Sequence, residues 1–182
     1  MFLNKKKLQN YNVVVIIMKI GLVYYSRTGN TRQVAKTLEE KLKEKNAEVD
    51  LIEIEHVKRP GFFAAGKASM NQLDLPIKNN DFDMQKYDVI VVGTPTWAGR
   101  PSPFAKVFIN KAENIKGKKV AVFGTGMSPI DKREQFKEIM TNNLKNAGIN
   151  TVEGYLLIHF KRHQMADGQQ NIDNFVNSVL KL

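Results

Sequence analysis

The stretch IGLVYYSRTGNTRQVAKTLEEKL, residues 20–42, contains the signals of a strand, a loop and a helix in direct succession. Residues 20–25 are a compact apolar run, which predicts a buried strand. Apolar side chains then recur at helical spacing between charged ones, which predicts an amphipathic helix over residues 31–45. Its apolar positions are Val34, Leu38 and Leu42. A strand that leads directly into a helix is typical of an α/β fold.

The same alternation continues to the C-terminus. Apolar runs predict further strands near residues 49–54, 89–92, 120–123 and 152–158, and helical periodicity predicts helices near residues 62–70, 102–108, 131–148 and 172–179. Ser102 followed by Pro103 is a typical helix start. Parallel strands require crossover connections, which helices supply. The pattern therefore predicts one doubly wound α/β domain over residues 18–182, with helices on both faces of a parallel sheet.

Composition excludes several kinds of chemistry. The chain has 182 residues, 42% of them hydrophobic, which is enough for one domain with a substantial core. It has no cysteine, which excludes disulfides, thiolate metal sites and cysteine nucleophiles and fits a reducing, cytoplasmic compartment. The net charge of +10 comes from scattered lysines and arginines without a dense basic block, so we predict no nucleic-acid partner.

The N-terminus resembles a secretory signal only faintly. Lys5 to Lys7 precede an apolar run at residues 13–17, but Lys19 interrupts the run and no small-residue cleavage site follows. A membrane span needs about 20 apolar residues. We therefore interpret residues 1–17 as an extension ahead of a natural start at Met18, and we predict no membrane span.

Three polar loops that contain glycine follow predicted strands. Residues 26–31 are SRTGNT, residues 93–100 are GTPTWAGR, and residues 124–128 are GTGMS. In doubly wound folds, the carboxyl ends of the strands meet at one edge of the sheet, and ligands bind there. We therefore expect the three loops to converge on one site.

The first loop has the groups that bind a phosphate. Hydroxyls of Ser26, Thr28 and Thr31 can donate hydrogen bonds, and Gly29 allows backbone amides to approach closely. The following helix points its free amides at the same place. An ordinary capped turn would explain one or two hydroxyls but not three. The loop has no Gly-Lys-Ser/Thr and no G-x-G-x-x-G pattern, which excludes a nucleoside-triphosphate loop and a dinucleotide fingerprint.

Trp97, the only tryptophan, follows the third predicted strand. A tryptophan usually belongs to the core, but loops that follow strands are mostly exposed. At this position the indole suits stacking on a flat aromatic ligand, whose polar edge the backbone of residues 94–99 can bind.

The segments YYSRTGNT (residues 24–31), YDVIVVGTPTWAGRPSP (87–103) and VAVFGTGMSP (120–129) resemble the flavin-mononucleotide (FMN) loops of flavodoxins and flavodoxin-like proteins. The likeness covers nearly the whole chain from Met18. It implies a five-stranded sheet in the order 2-1-3-4-5, without the insertion of long-chain members, and one non-covalently bound FMN. The phosphate would lie in residues 26–31, and the isoalloxazine ring would lie between the other two loops.

The resemblance also implies a set of cofactor-binding residues. They are Ser26, Arg27, Thr28, Gly29, Asn30, Thr31, Thr94, Pro95, Thr96, Trp97, Ala98, Gly99, Gly124, Thr125, Gly126 and Met127. The chain departs from the family in being basic, and in having Met127 and Ser128 where an aromatic residue and an aspartate are common. The second face of the flavin therefore has no assigned partner. Because reduction adds negative charge to flavin, we expect Arg100 and the basic surface to raise its reduction potential.

No carboxylate pair, Ser/His/Asp set or metal-ligand cluster stands out in the sequence. We interpret His56, His159 and His163 as surface or loop residues. We therefore predict no catalytic side chain and no metal site.

Three functions remain open. The leading hypothesis is an electron carrier whose redox partner has an acidic docking face. The alternative is an NAD(P)H-dependent FMN or quinone reductase, in which residues 56–75 with Phe62 and Phe63 roof the flavin, unless these aromatics only pack the helix. Three intact loops argue against a flavin-free binding domain.

Overall fold

One mixed sheet forms the centre of the computed structural model, which describes residues 17–126, 133–149, 152–161, 163–166 and 169–182. Within these residues the sheet has seven strands, in the order β2-β1-β3-β5-β6-β7, with β4 paired to β3. The parallel strands alone run β2-β1-β3-β5-β6. The strands are β1 Lys19–Tyr24, β2 Glu48–Glu53, β3 Val89–Trp97, β4 Arg100–Pro101, β5 Lys119–Gly126, β6 Val152–Lys161 and β7 Gln164–Met165.

The predicted count of five strands in the order 2-1-3-4-5 was incomplete. Two short antiparallel strands are additional, because β4 folds back on β3 through Trp97↔Arg100 and β7 folds back on β6 through Phe160↔Met165. Each has two residues. A strand of this length has no apolar alternation that a sequence pattern could reveal.

Three of the parallel strands are longer than predicted. β3 continues through Gly93 and Thr94 to Trp97, and β5 continues to Gly126. The two ends pair with each other in parallel, as in Thr94↔Gly124. The last parallel strand, β6, likewise extends to Lys161. Much of two predicted loops is therefore strand, because ladder hydrogen bonds continue where apolar residues stop.

Helices cover both faces of the sheet, as predicted. Helices α3 and α4 pack on one face through residues such as Phe104, Phe108 and Phe136, and helices α1 and α5 pack on the other through residues such as Leu38 and Phe175. Successive side chains of β3 pack alternately into the hydrophobic cores on the two faces of the sheet, as the pleat of a strand requires. The helices are α1 Asn30–Glu44, α2 Phe62–Met70, α3 Pro103–Lys111, α4 Arg133–Asn146 and α5 Gln169–Val179. None of the helices in the described ranges is long and apolar enough to cross a membrane.

Helix α2 has the bounds that the sequence predicted, but it packs on the protein by one side only. Ser69 is buried, and its hydroxyl donates to the carbonyl oxygen of Pro101 at 2.8 Å. The Arg100 guanidinium donates to the carbonyl oxygen of Met70 at 3.2 Å. These bonds attach the C-terminal end of α2 to β4, so that the helix stands beside the carboxyl edge of the sheet.

Some sequence predictions fall partly or wholly outside the described residues. Of the proposed extension at residues 1–17, only Ile17 is described, and the division at Met18 stays a prediction. The proposed start of α4 at Asp131 also lies outside the described residues.

Candidate functional site

A cavity of about 840 Å³ opens at the carboxyl edge of the sheet. It lies where β1 and β3 are neighbours while their connections run to opposite sides, which is the switch point at which doubly wound folds bind ligands. The three predicted loops converge here, together with α2 and the turn between β6 and β7. Its walls are formed by Arg27, Thr28, Asn30, Thr31, Phe62, Phe63, Ala65, Gly66, Lys67, Met70, Asn71, Pro95, Thr96, Trp97, Ala98, Thr125, Gly126 and His163.

The first loop is braced from within by Ser26. Its hydroxyl oxygen accepts hydrogen bonds from the backbone amides of Gly29 and Arg32, each at 3.2 Å. Gly29 has a left-handed backbone with φ of 98°, which favours glycine. Helix α1 begins at Asn30 and has no acidic residue in its first turn, so no side chain there neutralises the positive end of its dipole. The loop therefore presents a positive, hydroxyl-rich edge to the cavity.

Threonine hydroxyls connect the three loops. Thr31 Oγ1 and Thr125 Oγ1 are 2.8 Å apart, and both residues are buried. The hydroxyl of Thr96 donates to the backbone carbonyl of Thr125 at 3.3 Å. A chain of polar contacts therefore fixes the distance between α1, β5 and β3 at the cavity.

Trp97 packs on the core and lines the cavity at once. It ends β3 just before a tight turn in which Ala98 and Gly99 have φ of 52° and 77°, as a type I′ hairpin requires. The half-buried indole meets Tyr25 edge-on at a centroid distance of 5.8 Å, and Phe104 at 6.1 Å. The two interpretations of this residue are therefore compatible, because one side of the ring is packed and another faces the cavity.

Several residues of the implied cofactor set do not line this cavity. Thr94 is buried, and its hydroxyl lies 2.8 Å from that of Ser102. Ser102 is the N-cap residue of α3, as predicted, but its side chain makes no capping hydrogen bond. Gly99 is buried in the turn after β3, and Gly124 is buried in β5. Ser26 and Gly29 line a neighbouring cleft. Met127 lies outside the described residues, and its role stays a prediction.

The cavity also includes residues outside the implied set. Phe62 and Phe63 come from α2 and are 71% and 89% exposed, which is unusual for two adjacent aromatic residues. His163 follows β6, and its Nδ1 lies 3.3 Å from Asn30 Oδ1 at the phosphate-loop side of the cavity. No pattern in the sequence could have placed His163 here, because the contact joins residues 133 positions apart.

Arg100 is directed away from the cavity. Its guanidinium binds the end of α2, and Arg100 is not among the lining residues. Arg27 is different, because it lines the cavity and its buried Nε has no hydrogen-bond partner within the described part of the chain. A buried cationic donor of this kind is suited to an anionic group.

The cavity has the chemistry that FMN requires. A phosphate needs hydroxyls, amides and positive charge, and all three occur at the start of α1 beside Arg27. A flavin ring needs a flat apolar wall, which Trp97 offers. Gly126, between these two regions, leaves no room for a side chain, because a Cβ there would lie 1.8 Å from Thr96 Oγ1.

Comparison with known proteins supports the same cofactor. A family model described as NADPH-dependent FMN reductase matches residues 18–161. The chain is 26% identical over 125 residues to a flavodoxin of Synechocystis sp., which covers 67% of this chain and 59% of that protein. It is 31% identical over 102 residues to an NAD(P)H dehydrogenase (quinone) of Rhodopseudomonas palustris, which covers 55% of this chain and 49% of that protein. The chain thus spans half to three fifths of the length of these curated relatives.

Solved structures show the same fold. A flavoprotein from Lactobacillus acidophilus in complex with FMN has a TM-score of 0.65 at 20% identity, covering 87% of this chain and 98% of that chain. The family match, the flavodoxin relatives and the chemistry of the cavity agree on one cofactor, and that cofactor is FMN. The chain belongs to the NADPH-dependent FMN reductase family, and its fold is flavodoxin-like.

Proposed function

We propose that this protein is an FMN-dependent reductase that oxidises NAD(P)H and passes the electrons to a quinone or a similar flat acceptor. The observation that carries this proposal is the second aromatic wall of the cavity. Phe62 and Phe63 of α2 line the same space as Trp97 of β3. A volume of about 840 Å³ lies toward the upper end of the range of small-molecule sites, about 300–1,000 Å³.

In this proposal the chain binds and orients, while the flavin supplies hydride acceptance and electron release. Residues 26–31 hold the FMN phosphate, with Arg27 as the cationic donor and the start of α1 as the dipole. Trp97 supports one side of the ring. Phe62 and Phe63 bound the space in which nicotinamide and quinone bind in turn, and they offer apolar contact area to these flat rings.

Two comparisons support this function. The family model carries the description NADPH-dependent FMN reductase, and one relative is an NAD(P)H dehydrogenase (quinone). Lys67 adds a positive charge to the α2 wall, which suits an anionic coenzyme.

Steady-state oxidation of NADPH and NADH by the FMN-loaded protein, with a water-soluble quinone as acceptor, tests the proposal. We expect saturable turnover that depends on bound FMN. Phe63→Ala should raise the KM for quinone severalfold, because it removes apolar contact area at the acceptor position. Val57→Ala is the matched control, because Val57 is also exposed (57%) but does not line the cavity. Absence of turnover with either coenzyme would reject the reductase function.

An electron carrier is the second candidate, and a different feature favours it. The three apolar side chains of Phe62, Phe63 and Met70 project at the mouth of the cavity and are 71%, 89% and 58% exposed. On a chain with a net charge of +10, such a patch suits an acidic redox protein that docks over the flavin edge. If NAD(P)H is not oxidised, salt-sensitive electron transfer from the photoreduced protein to an acidic acceptor protein supports the carrier. Transfer that is independent of salt argues against acidic docking.

A further inference from the structure

A second cleft, of about 630 Å³, lies on the other side of the first loop. It extends from Ser26 and Gly29 to the end of β2 and to the segment that leads into α2. Arg27 and Thr28 line both this cleft and the FMN cavity. The two spaces are therefore neighbours that share a wall of two residues.

Charged side chains dominate the cleft, and two of its cations are already paired. Arg32 binds the Glu53 carboxylate through Nε at 3.1 Å and also through Nη2. Lys78 Nζ lies 3.6 Å from Glu55. No carboxylate of the described residues pairs with Arg27 or Arg59, although both line the cleft. In the proposed function Arg27 binds the FMN phosphate, so Arg59 is the guanidinium of the cleft that has no anionic partner in the FMN-loaded protein.

The surroundings of Tyr25 support this placement of charge. Burial raises the pKa of the Tyr25 hydroxyl to about 12, and the positive charges of Arg27 and Arg59 oppose that rise. Both arginines therefore lie close to one buried point beside the cleft. The buried Nε of Arg27, which has no partner in the described residues, is a further donor at the shared wall.

We propose that this cleft binds the adenosine 2′-phosphate of NADPH while the nicotinamide lies in the FMN cavity. The inference rests on the proposed reductase function, which places the coenzyme in that cavity. Guanidinium groups bind phosphate oxygens through two parallel hydrogen bonds, which makes arginine the preferred partner of a phosphate monoester. Arg59 is the specificity residue, because it lines this cleft alone, whereas Arg27 at the shared wall binds the FMN phosphate.

Binding of 2′,5′-ADP and of 5′-ADP to the FMN-loaded protein tests the site without catalysis. Isothermal titration should give a roughly tenfold tighter Kd for 2′,5′-ADP, because only this ligand carries the 2′-phosphate. Arg59→Gln should remove most of that difference. Lys58→Gln is the matched control, because it removes an equal charge from the neighbouring exposed residue outside the cleft, and it should leave the difference unchanged.

Three results would overturn the assignment. The two nucleotides could bind equally well, Arg59→Gln and Lys58→Gln could have the same effect, or inorganic phosphate could bind as tightly as 2′,5′-ADP, which would indicate a free-phosphate site. Failure of the reductase function is a separate outcome, because it appears as missing NAD(P)H oxidation. If turnover occurs, the ratio of kcat/KM for NADPH to that for NADH should fall about tenfold in Arg59→Gln. An unchanged ratio would reject the inference while leaving the reductase intact.

Discussion

The hydroxyls of Thr31 and Thr125 meet at 2.8 Å across 94 positions of sequence, and both side chains are buried. This contact joins the start of α1 to the end of β5 at the floor of the FMN cavity. Thr31→Val keeps the shape of the side chain but leaves the Thr125 hydroxyl without its partner. We expect a loss of about 1–2 kcal/mol in the free energy of unfolding, measured by urea denaturation of the apoprotein.

The double variant Thr31→Val/Thr125→Val completes a double-mutant cycle, which measures the interaction energy of the two hydroxyls. Because neither hydroxyl is then stranded, the double variant should lose less stability than the sum of the two single losses. Strictly additive losses would mean that the two hydroxyls do not interact in solution.

Trp97→Ala should weaken FMN binding about tenfold or more and should also lower stability. The substitution removes an aromatic wall of the cavity and the edge contacts with Tyr25 and Phe104. Titration of the apoprotein with FMN, followed by flavin fluorescence, measures the affinity. Trp97→Phe is the control, because it keeps an aromatic face. If Trp97→Ala loses stability but binds FMN as tightly as the wild type, the indole is a packing residue only.

Gly126→Ala should reduce FMN affinity by displacing Thr96. The new Cβ would lie 1.8 Å from Thr96 Oγ1, so the threonine must move and its bond to the Thr125 carbonyl must break. In a Thr96→Ala background the same substitution should cost less, because the oxygen is gone. Equal losses of affinity in the two backgrounds would contradict the collision as the cause.

Tyr25→Phe should stabilise the protein by about 1 kcal/mol, because the buried Tyr25 hydroxyl has no hydrogen-bond partner in the described residues. The effect should depend on pH. The pKa of this tyrosine is about 12 in the folded state and 10.0 in the reference state, so above pH 10 the unfolded chain releases a proton that the folded chain retains. Ionisation of Tyr25 therefore leaves the free energy of unfolding unchanged below pH 10 and lowers it as the pH rises toward 12.

The measurement is the difference in unfolding free energy between Tyr25→Phe and the wild type across that range. The advantage of the variant should grow by up to about 1.4 kcal/mol per pH unit. A difference that stays flat above pH 10 would mean that Tyr25 ionises equally in both states.

Arg100→Glu should lower the midpoint potential of bound FMN, because reduction adds negative charge and the variant replaces a nearby cation with an anion. The structure adds a second expectation. The guanidinium binds the Met70 carbonyl, so Arg100→Gln should loosen α2 with a smaller shift in potential. Redox titration of both variants with FMN bound distinguishes the two effects. An unchanged or higher potential in Arg100→Glu contradicts the electrostatic role.

Local patterns predicted the helices well. Val34, Leu38 and Leu42 are all buried as their spacing required, and α1 differs from the predicted helix by one residue at each end. Helix α2 has the predicted bounds. In both cases the signal lies within a few residues of the element that it predicts.

Features that depend on distant contacts were missed. The extension of β3 through Thr94 exists because β5 pairs beside it. Ser102 is the N-cap residue of α3 and Pro103 its first residue, as predicted, but the Ser102 hydroxyl contacts the Thr94 hydroxyl instead of a helix amide. His163 reaches the cavity only through the turn after β6. For the site, the sequence identified three converging loops but not which hydroxyls face inward, because side-chain direction is decided by the tertiary neighbours.

The turn at Ala98 and Gly99 has a consequence for the energetics of ligand capture. Ladder pairing of Trp97 with Arg100 and packing on Tyr25 and Phe104 restrict the indole without any help from a ligand. Little conformational entropy is then lost at this wall on binding, and the left-handed φ of Ala98, at 52°, is a strain already present in the empty protein. This wall of the cavity is therefore preorganised. The side chains that still lose conformational freedom when a ligand binds are the exposed rings of Phe62 and Phe63 in α2.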